Sequence, residues 1–406
     1  MRRWHVYRMI FGLMIMVLCG TLNYSMDVYG QVRKIIGSNA DVTPPPPPIG
    51  CGPGSTFDLV PGSTTTTFST GGASVGHSFV VTPNYANYIG AAFQSARDTT
   101  GGEAFIGAVT FRGSPATFTS SIEWTTANVP MVSNTYAIIA DVQNSRVLLH
   151  GTRTSAPCNV TNCLQLQLYN TSDVAVGLIT DLTTGIGAAQ GSLGGISDSN
   201  YYYFLQRNTA SSASIVYKYT LDTSLTFVNS ASIGNFSPAV MTDDGTNLLV
   251  MNTIAPAVLR INKDSLAVTS LTITGASGTA TDELTYDGTN NHYYIATTNA
   301  GVTTLRQVNA TTGAVTGVTQ SLGTETLLQY GLQADVVAGK LYAATDVTGT
   351  TTRVRRYALN TMTPEETESS VIGQPTTNMA QDFIHKRIWF SGAGSPGVVQ
   401  PYTLCS

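Results

Sequence analysis

Seven aspartates stand at comparable places along the chain: Asp98, Asp141, Asp198, Asp243, Asp287, Asp335 and Asp382. Calcium takes six to eight oxygen ligands, and a calcium site would gather several carboxylates into one loop. Here the acids come one per segment, at successive intervals of 43, 57, 45, 44, 48 and 47 residues, with a doublet in TDDG at 242–245. Each precedes a short turn and then a run of Tyr, Leu, Ile, Val or Phe, as in TDDGTNLLVMN and YDGTNNHYYIATT. An Asp side chain that bonds the backbone of the following turn accounts for that phrase, so the aspartates read as turn formers.

Nucleophilic chemistry has weaker support. His5, His77, His150, His292 and His385 fall in different segments, and the GxSxG string at 72–76 stands among strand-like runs, not at the strand-to-helix turn of a nucleophile elbow. The phosphate-binding loop and a CxxC pair are absent, and the GxGxxG string at 392–397 leads into the strand-like run GVVQPYTLC, not into the helix that a dinucleotide site needs. Beside Cys19, in an apolar N-terminal run, stand Cys51, Cys158, Cys163 and Cys405. In an exported chain that even count implies disulfides with three connectivities. Cys158 and Cys163 enclose NVTN and read as a stapled loop, which leaves Cys51 to meet Cys405 and requires both ends of the chain to come together.

The elements that carry these residues repeat. Before each Asp lies a strand of small residues, such as FSPAVMT (236–242) or TDELTY (281–286). After the apolar second strand come a third, such as AVLRIN (257–262), and an outer fourth, such as LAVTSLTIT (266–274). Seven such units predict an all-β fold: a seven-bladed β-propeller of four-stranded antiparallel blades. The last unit is one strand short, and residues 55–70 are expected to supply it, closing the ring and removing an open sheet edge.

The Asp turn followed by an aromatic or aliphatic strand resembles the YVTN-type, NHL-like and WD40-like propeller repeats. YIATT (294–298) and YAATD (342–346) are the nearest counterparts of the YVTN tetrapeptide. The resemblance implies a fold and leaves function open. Some propeller lactonases, a related class, hold a metal at the channel mouth with acidic and amide side chains. That likeness puts forward Glu283 first, then Asn134, Asn235, Asn378 and Asp282, with calcium as the ion implied. The reading preferred here is a polar, water-filled channel without cofactor.

Composition sets the remaining bounds. Charged residues are 11% and the formal net charge is −4. The densest basic group, Arg353, Arg355 and Arg356, is too small a footprint for nucleic acid. Arg2, Arg3 and Arg8 precede an apolar run over 9–22, which reads as a signal peptide (residues 1–30) or a retained signal-anchor, the only membrane contact expected. Residues 31–54 hold TPPPPPIGCGPG, an extended spacer, and the propeller occupies 55–406. Asn159, Asn170 and Asn309 begin glycosylation triplets. The expected function is a secreted or cell-surface module that binds protein or glycan. A metal-dependent lactonase or hydrolase, and a structural subunit of an envelope, sheath or virion, are the alternatives.

Overall fold

A computed structural model places strands between Asp58 and Cys405, with side chains described for most of residues 195–365 and a few positions beyond. The N-terminal segment and the spacer, residues 1–54, lie outside the described residues. The placed strands all fall within one compact unit, Pro44–Ser406.

The strands form five four-stranded antiparallel sheets in strict chain order, and one nine-stranded sheet. The five span 74–125, 134–181, 189–234, 241–272 and 279–323. The nine-stranded sheet joins two runs, Thr326–Asp335 to Pro364–Glu368 and Thr376–Asp382 to Gly397–Cys405, through a single parallel pairing of Gln329 with Asn378. Two N-terminal strands complete it. Asp58–Pro61 pairs antiparallel with the last strand, Asp58 opposite Cys405, and Thr66–Phe68 pairs with the same strand at Val399 to Gly397.

The second strand of each described sheet is apolar on both faces because both faces are covered. In Asn247–Asn252 the side chains alternate between neighbours, as the two-residue period of a strand dictates. Leu248 and Val250 pack with Tyr203, Leu205 and Val216 of the preceding sheet. Leu249 and Met251 pack with Tyr293, Ile295 and Val308 of the following one. Tyr294, Ala296 and Leu305 then meet Leu332, Leu341 and Ala343. Burial falls off outward, and the fourth strand Val268–Thr272 is largely exposed. Fully burying one such aliphatic side chain is worth about 1.5–3 kcal/mol, so the inter-sheet layers hold the fold together.

The aspartates act locally. Asp287, fully buried, accepts the backbone N–H groups of Thr289 at 2.9 Å and Asn290 at 3.2 Å. Asp198 accepts those of Asn200 and Tyr201, Asp243 that of Gly245, and Asp335 that of Ala338. Asp141 and Asp382 end the first strands of their sheets. Asp98 does not share this place: it ends Ala91–Asp98, the second strand of its sheet, opposite Ser74. The phrase that follows it, RDTTGGEAFIGAV, leads into a third strand, so the first repeat begins earlier, at Ser74–Thr82. Residues 83–90, between its first two strands, contain no Asp to announce it.

A second periodic feature joins neighbouring sheets. Lys218, Arg260, Gln307 and Arg356 each stand two residues before the end of a third strand. Lys218 Nζ, buried, donates to the Lys263 carbonyl of the next sheet at 2.6 Å and lies 3.8 Å from the centre of the Tyr201 ring. Arg260 donates to the Tyr293 hydroxyl at 2.8 Å and to the Ala310 carbonyl. Gln307 donates to the Asn360 carbonyl at 3.0 Å. Arg356, at the same place in its strand, instead pairs within its own sheet, with Glu365 at 2.7 Å. Because Arg260 links equivalent ends of two sheets, those sheets point the same way. One end carries the Asp turns, and the other, called here the hairpin end, carries the second-to-third strand hairpins.

Candidate functional site

First strands lose register near the hairpin end. The slips fall between Gly76 and Ser78 (with His77 as the extra residue), Thr135 and Ala137, Gln190 and Gly194, and Thr376 and Asn378. Two are larger. Thr281, Asp282 and Glu283 stand opposite Ala296 alone, and Leu328 to Gly331 stand opposite Ala344 alone. Bulges of this kind bend a strand and re-aim its side chains. In the second one Tyr330 adopts a left-handed backbone with φ of 58°. Gly331 follows it because a Cβ there would lie 2.6 Å from the carbonyl oxygens of Ala344 and Leu328.

The two bulges meet through one side chain. Glu283 Oε1 accepts the backbone N–H of Tyr330 at 3.0 Å. Glu283 is 5% exposed, and its Oε2 is buried without a hydrogen-bond partner. Burial pushes its carboxyl up to about 8. The amides of Tyr330, Leu332 and Gly331 pull the other way, without giving Oε2 a hydrogen bond, and the Asp282 charge adds to the rise. Beside it opens a cleft of about 360 Å³ lined by Thr281, Asp282, Thr298, Thr303 and Thr326, with Leu327 as its one aliphatic wall.

Next to the cleft lies an ionic cluster. Glu325, 7% exposed, is held by Arg355 Nη2 at 2.7 Å, by Arg353 and by the Thr345 hydroxyl. Burial alone would raise the Glu325 carboxyl, but Arg355, Thr345 and the charges of both arginines hold it below its ordinary value. The basic run at 353–356 is therefore paired with acids, Glu325 taking Arg353 and Arg355 and Glu365 taking Arg356 together with Lys340. The homologous rung of the preceding sheet repeats the pattern without charge on the partner: Arg306 donates to the Thr297 hydroxyl at 2.8 Å and the Ser277 hydroxyl at 3.0 Å.

The residues put forward from sequence are dispersed. Asn235 is exposed in a bend after Phe227–Gly234. Asn134 begins Asn134–Asp141, Asn378 pairs with Gln329, and both side chains lie outside the described residues. Among the described residues no three His, Cys, Asp or Glu side chains come together as a metal site. Of the cysteines, Cys163 opens Cys163–Asn170 and Cys405 closes Gly397–Cys405, while Cys51 and Cys158 lie outside the described residues. Asn309 spends its side-chain oxygen on the backbone N–H groups of Thr311 and Thr312, both at 2.9 Å. Asn170 ends a strand, and Asn159 lies outside the described residues. Tyr202, Tyr203 and Phe204 are buried. Sequence reasoning passed over Glu325 and the periodic donors Lys218, Arg260 and Gln307. The donors' spacing of 42 and 47 residues is the signal that would have found them.

No protein-family model matches the chain, and no curated protein matches it significantly. Among solved structures it is similar to the WD40 domain of coronin from Toxoplasma gondii. That likeness spans 86% of this chain and 89% of that one, at 11% identity and a TM-score of 0.51. At such identity it speaks for the fold. With its succession of four-stranded antiparallel sheets, the chain is an all-β protein of WD40-like propeller repeats.

Proposed function

We propose that this chain is an exported propeller of seven blades that binds a protein partner on its hairpin end. The pairing of Asp58–Pro61 with Gly397–Cys405 supports closure, since the start and the end of the chain then share one blade. It also brings residue 58, a few positions after Cys51, beside Cys405. Peptide mapping without reduction is expected to recover Cys51 linked to Cys405 and Cys158 linked to Cys163. Recovery of Cys51 joined to Cys158 or Cys163 would refute the staple. Export is supported by the basic and apolar N-terminus and by the even set of cysteines that follows it.

The observation that carries the binding reading is the coincidence of apolar exposure with the Thr-lined cleft at the hairpin end, since the Asp-turn end also exposes Val337, in the turn after Asp335. Ile254, 74% exposed, and Val302, 40% exposed, lie on hairpins of adjacent sheets, and the second hairpin borders the Thr-lined cleft. Exposed apolar groups beside polar ones at one rigid end are what a partner's anchors require. The Asp-turn end instead commits its polar groups to the fold, through the aspartates and the Lys218, Arg260 and Gln307 links. The test is a screen of the full chain against protein and glycan arrays, repeated with an Ile254→Asp/Val302→Asp variant. Protein ligands are expected to lose at least tenfold in affinity, about 1.4 kcal/mol. Ligands indifferent to this change but lost on Phe227→Asp, in the outer strand, would move the face elsewhere.

A further inference from the structure

We propose that the cleft beside Glu283 is a slot for the ammonium group of a lysine presented by the protein partner, because it combines a buried, unpartnered carboxylate oxygen with hydroxyl acceptors and an aliphatic wall. The proposal rests on the binding-face reading above. A buried polar atom without a partner is rare and calls for a missing donor. Glu283 Oε2 is such an atom, in a residue that is 5% exposed and lines the cleft. An ammonium brings three donors and a charge to a place where Asp282 and Glu283 are consecutive acids. The Thr298 and Thr303 hydroxyls, 3.5 Å apart, offer further acceptors. Leu327 and the threonine methyls suit the aliphatic stem of a lysine, which packs on apolar surface while its head stays polar.

Lysine fits better than arginine. A guanidinium binds a carboxylate best as a fork across both oxygens. Glu283 has already given Oε1 to the Tyr330 N–H, so one oxygen remains, which suits a point charge.

The chemistry has a directional consequence. Asp282 and Tyr330 are the titratable groups that interact with Glu283. On the neighbouring strands Arg306 is engaged by Thr297 and Ser277, and Glu325 by Arg353 and Arg355. With its carboxyl pushed up to about 8, Glu283 is mostly neutral at pH 7 in the empty slot. An ammonium requires the ionised form, so binding releases a proton from Glu283. Affinity then weakens about tenfold for each unit of pH below about 8 and levels off above it. A neutral polyol would accept the acid proton and show the opposite slope.

Calorimetry of the full chain with n-butylammonium, n-butanol and glycerol at several pH values tests this. Expected are binding of n-butylammonium, at least tenfold weaker binding of n-butanol, and tightening of n-butylammonium by about tenfold from pH 6.5 to 7.5. The heat should vary with the buffer's ionisation enthalpy, as proton release demands. Glu283→Gln should weaken n-butylammonium at least tenfold and flatten the slope. Equal binding of n-butanol, a preference for glycerol, or affinity that falls as pH rises overturns the slot even in the wild type. The two readings separate on the partner. Capture lost on Ile254→Asp but kept on Glu283→Gln leaves the face and removes the slot. Capture indifferent to both removes the face.

Discussion

Glu283→Gln is expected to leave stability near the wild-type level at pH 5 and to raise it by about 4 kcal/mol at pH 9. The buried acid is pushed up to about 8, from an ordinary value of 4.5. The fold therefore favours the neutral form. Its contribution is fully present below the ordinary carboxyl value and is lost as pH rises through about 8, at about 1.4 kcal/mol per unit between the two. Glutamine stays neutral throughout and keeps an oxygen for the Tyr330 N–H, so it escapes that loss. Urea denaturation of both proteins at pH 5, 7 and 9 measures the effect. An equal difference between them at every pH would show that Glu283 ionises freely.

The neighbouring acid should behave in the opposite sense. Glu325→Ala is expected to cost about 3–5 kcal/mol at pH 7, the usual consequence of leaving buried charge without its partner. Arg355 and Arg353 would both lose their carboxylate, and the Thr345 hydroxyl its acceptor. Because the Glu325 carboxyl is held below its ordinary value, its contribution is present above the ordinary carboxyl range and disappears as pH falls through the folded value. The variant and the wild type should thus converge in acid and diverge toward neutrality. A loss below about 1 kcal/mol at pH 7 would place this cluster among weak surface pairs. Adding Arg353→Met and Arg355→Met to Glu325→Leu should recover most of the loss, since apolar replacement of a whole buried ion cluster is often neutral.

How far the sequence speaks depends on the range of the interactions. The repeats are legible because an Asp that bonds the N–H two or three residues on writes its turn within one short phrase, as Asp287 does with Thr289 and Asn290. The same reliance on a phrase misplaces Asp98, whose following segment looks like a second strand and pairs as a third. The pairing of the N-terminal strand with the last one follows from the strand missing at the end of the chain. The bulges have no such residue signature, apart from Gly331, so the register that brings Thr281 and Glu283 to one cleft, and Tyr330 to Glu283, is invisible before folding. Glu283 stands out by type, but its hydrogen-bond donor comes from 47 residues away in the next sheet. Arg353 and Arg355 read as surface positive charge because Glu325, which pairs with both, lies 28 and 30 residues earlier.

Lys218, Arg260 and Gln307 each reach a main-chain carbonyl of the next sheet, at Lys263, Ala310 and Asn360, and Arg260 adds the Tyr293 hydroxyl. A carbonyl is present whatever the side chain, and these three acceptors are a cation, a methyl group and an amide. A joint of this sort asks for a donor on one side and nothing in particular on the other. Mutations can therefore accumulate in one repeat without a matching change in its neighbour, which lets loops diversify independently around a frame that keeps its shape.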